Sequence, residues 1–85
     1  MRLAKFVKFR EERFGGVLFE TRSEKVYTLN PTAAAVVREI QAGRDEAEIA
    51  RQLAGGFDDP SGVLDRDVRA LIDDLRDKGL IEDAA

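Results

Sequence analysis

Hydrophobic and polar positions change their period near residue 30. Val7 and Phe9 alternate with Lys8 and Arg10, the period-two pattern of a half-buried strand. Phe14-Gly15-Gly16 predicts a bend, because glycine accepts backbone angles that other residues resist. Val17-Leu18-Phe19-Glu20-Thr21 predicts a second strand and Val26-Tyr27-Thr28-Leu29 a third, both rich in β-branched and aromatic residues. Between them, Arg22-Ser23-Glu24-Lys25 has the polarity and length of a hairpin turn.

Beyond Leu29 the spacing is helical. Pro31 suits a first helical position, where its missing N–H is no loss, and Asn30 or Thr32 could cap the free amides. Ala33, Val36, Val37 and Ile40 form an apolar face, and Gly43 is a C-terminal stop. Asp45 with Glu48 three residues on predicts the start of a second helix. Its apolar face is Ala47, Ile49, Ala50 and Leu53, its end is Gly55-Gly56, and a loop follows from Phe57 to Gly62. Leu64, Val68, Leu71, Ile72 and Leu75 recur at spacings of three and four, the strongest helical stripe in the chain. Lys78-Gly79 closes that helix, Leu80-Ile81 follows as an apolar clip, and Ala84-Ala85 is expected to fray.

Strands followed by helices imply an α+β fold. The expectation is one domain over residues 1–85: a three-stranded antiparallel sheet over about residues 5–30, then a three-helix, winged helix-turn-helix-like half over about residues 31–80. At 85 residues the chain can build one modest core, burying a little over ~60% of its unfolded surface.

Composition narrows the chemistry. The sequence has no cysteine and no histidine, so thiolate metal sites, disulfides and the usual nucleophile–imidazole pairs are excluded, and no metal or cofactor is expected. No apolar run approaches the roughly 18 residues of a membrane span, and the N-terminus lacks a signal core, so a cytoplasmic protein without membrane association is expected. The net charge of −3 is unevenly spread. Residues 1–28 carry seven Lys/Arg against four Glu (+3), and residues 29–85 carry seven against thirteen Asp/Glu (−6). An acidic helical half disfavours nucleic acid as a partner.

Three constellations bear on function. Asp65, Asp67, Asp73, Asp74 and Asp77 could serve as acid–base groups or hard-cation ligands. Their spacing to Arg69, Arg76 and Lys78 instead predicts helix-surface ion pairs, Asp65/Arg69, Asp73/Arg76 and Asp74/Lys78. Gly15-Gly16 and Gly55-Gly56 match no phosphate-cradling pattern and read as turn chemistry. A recognition helix over Asp65 to Lys78 would carry five Asp against four cations, with no Asn or Gln, where DNA contacts need exposed cations and amides. Catalysis and a winged-helix nucleic-acid regulator are both disfavoured. What remains is a strand, Val26 to Leu29, without an internal charge or proline to blunt an edge. Spacing leaves two options open: the strand is covered, or it accepts an added strand from a peptide or from a second copy of the chain.

The chain also resembles the PqqD family. The resemblance rests on Phe14-Gly15-Gly16-Val17-Leu18-Phe19, Val26-Tyr27-Thr28-Leu29-Asn30, the alanine-rich helix ending at Gly43, Glu48-Ile49-Ala50, Asp67-Val68 and Leu75-Arg76-Asp77-Lys78-Gly79-Leu80-Ile81-Glu82. It covers nearly the whole chain and implies a non-enzymatic peptide chaperone, a recognition element of ribosomal natural-product biosynthesis. Such a protein binds the leader segment of a precursor peptide, as a strand against its third strand and third helix, and presents it to a modifying enzyme such as a radical-SAM maturase. The implied site is Lys25, Val26, Tyr27, Thr28 and Leu29 on the strand, with Val63, Asp67, Ala70, Leu71 and Asp74 on the helix. A monomer or weak dimer is expected. Where members devoted to the quinone cofactor carry a proline-containing stretch, this chain has Phe19-Glu20-Thr21-Arg22. The product is therefore left open between that cofactor, a lasso peptide and a thioether-bridged peptide.

Overall fold

The computed structural model describes residues 1–56 and 63–83. The order of elements is β1 (Arg2–Leu3), β2 (Val7–Glu12), β3 (Gly15–Glu20), β4 (Lys25–Leu29), α1 (Pro31–Gln41), α2 (Glu46–Gly56), α3 (Val63–Asp77) and β5 (Ile81–Glu82). Strands β2, β3 and β4 form an antiparallel meander in that order, and β1 pairs with β5 in a separate two-stranded sheet. The α+β architecture, with a three-stranded sheet ahead of three helices, is the expected one.

Cross-strand register sorts the meander into two faces. Leu18 stands between Phe9 and Tyr27, and Gly16 between Glu11 and Leu29. Leu18 and Leu29 are buried on this inner face, and α1 crosses it. Phe19 stands between Lys8 and Val26 on the outer face, and it and Val26 are exposed. The core joins Leu18 and Leu29 to Val36, Val37 and Ile40 of α1, Ile49 and Ala50 of α2, and Val68, Ile72 and Leu75 of α3. No buried side-chain nitrogen or oxygen among the described residues lacks a partner.

The expected caps form, with their ambiguity resolved. Asn30, not Thr32, caps α1: its side-chain oxygen accepts the Ala33 amide at 2.8 Å, and Pro31 takes the first helical position. Gly43 follows the helix with φ +86°, the left-handed geometry of a helix stop. Asp45 accepts the Glu48 amide at 2.8 Å, and the Glu48 carboxylate reaches back toward the Asp45 amide at 3.5 Å. Gly79, at φ +73°, ends α3. Of the surface pairs, Asp73–Arg76 closes at 3.3 Å and Asp74–Lys78 at 2.5 Å. The Asp65 side chain, the Phe57–Gly62 loop and Ala84-Ala85 lie outside the described residues.

Several expectations are corrected. Gly15-Gly16 is not a bend but the start of β3; the reversal lies at Arg13-Phe14, between the paired Glu12 and Gly15. The two glycines answer to close approach rather than to turn chemistry. A Cβ on Gly16 would stand 2.6 Å from the Phe9 ring, and one on Gly15 would stand 2.1 Å from the Leu29 carbonyl oxygen. Gly55-Gly56 does close α2, as its last two residues. The second hairpin turn is shifted by one residue, to Thr21–Glu24, with Lys25 already in β4 opposite Glu20. Ala47 is exposed rather than on the buried face of α2. The Leu80-Ile81 clip is half strand: Ile81 pairs with Leu3, and the Ala4 amide donates to the Leu80 carbonyl at 2.9 Å.

Candidate functional site

Strand β4 is an edge, with β3 on one side and, among the described residues, no strand on the other. Which of its backbone groups are free follows from one hydrogen bond. The Thr21 amide donates to the Phe6 carbonyl at 2.8 Å, one step beyond the paired Val7 and Glu20. In an antiparallel ladder both backbone groups of a residue turn to the same side, and successive residues alternate. Phe19, Val17 and Gly15 therefore turn to β2, while Glu20, Leu18 and Gly16 turn to β4. Their partners on β4 are Lys25, Tyr27 and Leu29. The N–H and C=O groups of Val26 and Thr28 are left pointing off the edge.

The space they point toward is a groove of about 490 Å³ between β4 and α3. Leu29, Ala33, Leu71, Leu75 and Leu80 supply its apolar lining, Val26, Tyr27, Thr28 and Asn30 its strand side, and Asp74 and Lys78 its polar rim. A second hollow of about 240 Å³ continues past the strand, lined by Asn30, Thr32, Ala33, Asp67, Val68 and Leu71. Asn30, Ala33 and Leu71 are common to both, so the two are one channel with Asp67 at the Asn30 end. The short Asn30-Pro31 junction creates this corner, because it ends β4 and starts α1 with no intervening loop.

Of the residues singled out from sequence, Val26, Tyr27, Thr28, Leu29, Leu71 and Asp74 line the larger hollow, and Asp67 and Leu71 the smaller. Lys25 is exposed at the start of β4, opposite Glu20, and lines neither. Ala70 is exposed on α3 and lines neither hollow. Val63 opens α3, and its side chain lies outside the described residues. Asn30, Thr32, Ala33, Val68, Leu75, Lys78 and Leu80 also line the hollows and were not singled out from sequence. The residues of α3 and its C-terminal end that face the channel, Asp67, Val68, Leu71, Asp74, Leu75 and Lys78, form a stripe at helical spacing. Choosing that stripe from sequence requires the rotation of α3, which only packing against Leu29 and Ala33 sets.

The site's electrostatics are mild. The Asp74–Lys78 pair neutralises itself, while Asp67 has no ion pair among the described residues. Exposed residues from 66 to 78, on α3 and its end, carry four carboxylates and four cations, an unsuitable face for a phosphate backbone. No group of three or more potential metal ligands occurs among the described residues. No helix among them is long and apolar enough to cross a membrane.

An open strand edge beside an apolar groove, on an α+β scaffold, defines a peptide-docking class of domain. The particular family follows from the sequence: residues 15–81 match the model for coenzyme PQQ synthesis protein D, and the chain belongs to the PqqD family. Among solved structures it is similar to one described as lasso peptide synthetase B1 complexed with the leader peptide, at 29% identity and a TM-score of 0.81 over 93% of each chain. It shares the fold of TbiB1 in complex with the TbiA(beta) leader peptide, at 19% identity and a TM-score of 0.87 over 100% of this chain and 99% of that one. A comparison with curated proteins finds no match.

Proposed function

We propose that this protein is a non-catalytic recognition element that binds the leader segment of a ribosomally made precursor peptide and presents the remainder to a modifying enzyme. The observation that carries the reading is the outward pair of backbone groups on Val26 and Thr28, open to solvent beside an apolar groove. An extended peptide satisfies these groups as a fourth strand, and its side chains on the groove side pack against Leu29 and Leu71. Family membership supports the assignment, as does the likeness to the lasso peptide synthetase B1 structure, whose leader peptide is bound. The modifying enzyme is of the kind that acts on such precursors, a radical-SAM maturase or a lasso-forming enzyme.

The test uses fluorescent copies of any short reading frames that lie beside this gene, as candidate precursor peptides. Saturable anisotropy binding is expected, with Thr28→Pro weakening it by at least about tenfold, since that change removes an outward donor and leaves the inward ladder intact. Circular dichroism of the variant must match the parent. Unchanged affinity in a folded Thr28→Pro protein removes strand addition at β4.

A further inference from the structure

We infer that the opposite edge of the meander, β2, pairs with β2 of a second copy of this chain in an antiparallel register centred on Arg10. The dimer is then one continuous six-stranded sheet with a β4 edge at each far end. This inference goes beyond the peptide-binding reading and does not depend on it.

Strand β2 ends the sheet on the side away from β4. Lys8, Arg10 and Glu12 stand opposite Phe19, Val17 and Gly15, the β3 residues that turn to β2. The same alternation therefore turns the backbone groups of Val7, Phe9 and Glu11 off the β2 edge. The Val7 amide is already satisfied, donating to the Ala4 carbonyl at 3.0 Å. Among the described residues, no backbone group bonds the N–H or C=O of Phe9 or Glu11. Those four groups are a template for a further strand.

Charge complementarity selects a second copy as that strand. Edges are commonly protected by charged side chains, and β2 carries Lys8, Arg10, Glu11 and Glu12. Charges of one sign would repel another copy in every register, but these are mixed. A twofold axis pairs outward-turned residues only with each other, so it must centre on a residue. Centred on Lys8 or on Phe9, the pairing sets cation against cation and requires the Val7 amide, which is taken. Centred on Glu11, it opposes two carboxylates and overlaps only residues 10–12 of the strand. Centred on Arg10, it overlaps residues 8–12 and sets Lys8 opposite Glu12 of the second copy, twice by symmetry. This register also joins Phe9 to Glu11 across the junction, so every free N–H and C=O of both residues is used. Its one like-charged contact is Arg10 against Arg10, and each guanidinium already has Glu12 at 2.8 Å. Glu11, brought beside Phe9 on the inner face, is held by Arg38 at 3.0 Å.

The chain has no cysteine, so one introduced thiol reports the register. Residues facing each other across the axis at a non-hydrogen-bonded position stand about 4.5 Å apart at Cα, so Arg10→Cys is expected to oxidise to a covalent dimer. Lys8→Cys is expected to stay uncrosslinked, its two copies lying about 14 Å apart along the strands, and so is Thr28→Cys on the far edge. Sedimentation velocity over a concentration series is expected to show a reversible dimer of the parent chain. Lys8→Glu and Glu12→Lys are each expected to weaken it at least about tenfold, because each sets like charges opposite one another twice. An equimolar mixture of the two variants is expected to regain the parent's association, since each supplies the charge the other lacks. That restoration separates lost complementarity from a damaged fold. A parent chain that stays monomeric up to about 1 mM overturns the pairing. Equal cross-linking at Lys8→Cys or Thr28→Cys, or a mixture that associates no better than its components, overturns the register. All of these measurements are made without peptide: a dimer that binds no peptide removes strand addition at β4 alone, and a monomer that binds one removes this inference alone.

Discussion

A methyl group on the Cα of Gly15 would stand 2.1 Å from the carbonyl oxygen of Leu29, so β3 passes the end of β4 at a distance only glycine allows. Gly15 also has φ +140°, a backbone angle that residues with a side chain rarely adopt. The contact holds the last residue of the edge strand at the corner where α1 begins. Gly15→Ala is therefore expected to destabilise the fold by at least about 2 kcal/mol, from backbone displacement and strain together. Gly43→Ala is the control: Gly43 also has positive φ, +86°, but nothing lies within 4 Å of an added Cβ. Its expected loss is about 1 kcal/mol, the left-handed penalty alone. Urea denaturation of both variants checks the contrast, and equal midpoints remove the close-approach explanation.

Proline substitution separates the two sides of β4. Tyr27 turns its amide to Leu18 inside the sheet, whereas Thr28 turns its amide off the edge. Tyr27→Pro is expected to lose about 3 kcal/mol of stability, and Thr28→Pro well under half of that, because an edge residue whose N–H faces solvent tolerates proline. Thermal melts of the two variants give the answer directly. Comparable losses contradict the derived orientation of the strand.

The start of α1 gives a smaller effect with a sharper pattern. Asn30 caps through its side-chain oxygen, and its own carbonyl accepts the Ala34 amide at 2.9 Å. Asn30→Ala is expected to lose about 1 kcal/mol, Asn30→Asp close to nothing, and Thr32→Ala close to nothing. If Thr32→Ala is as damaging as Asn30→Ala, the cap is misassigned.

These variants also mark which features the sequence made legible. Helices and caps were readable because their signals are local: Asn30-Pro31, Asp45 with Glu48, and the Val68–Ile72–Leu75 stripe each lie within a turn or two of the structure they specify. The β1–β5 pairing was not, since Leu3 and Ile81 meet across 77 intervening positions and each strand has only two residues. Gly15-Gly16 misled for a different reason. Glycine marks both turns and close approaches, and the clash with Leu29 and Phe9 that decides between them is tertiary. The strand half of the candidate site needed only an unblunted edge to be noticed. The helix half needed the rotation of α3, which puts Lys78 and Leu75 toward the groove and turns Ala70 away.

The turn that leads into the edge strand has its own electrostatic lock. The Glu20 carboxylate accepts the Ser23 hydroxyl, then the Ser23 amide at 2.7 Å and the Arg22 amide at 3.1 Å. The Ser23 hydroxyl, with these amides and the Arg22 side chain, outweighs partial desolvation and holds the carboxyl down at about 2 from an ordinary 4.5. A carboxyl depressed in the folded state favours folding fully above its ordinary value, and that contribution is lost as pH falls through the folded value. The turn is therefore expected to stay locked from neutral pH down to about pH 5 and to open only as pH approaches about 2. Amide chemical shifts of Arg22 and Ser23 followed by NMR should titrate with a midpoint near 2, and Glu20→Gln should abolish the transition. A midpoint near 4.5 would show that the carboxylate is not held by the turn. Because Lys25 and Val26 follow this turn directly, a turn that stays closed above about pH 5 also predicts peptide affinity insensitive to Glu20 protonation from pH ~8 to ~5.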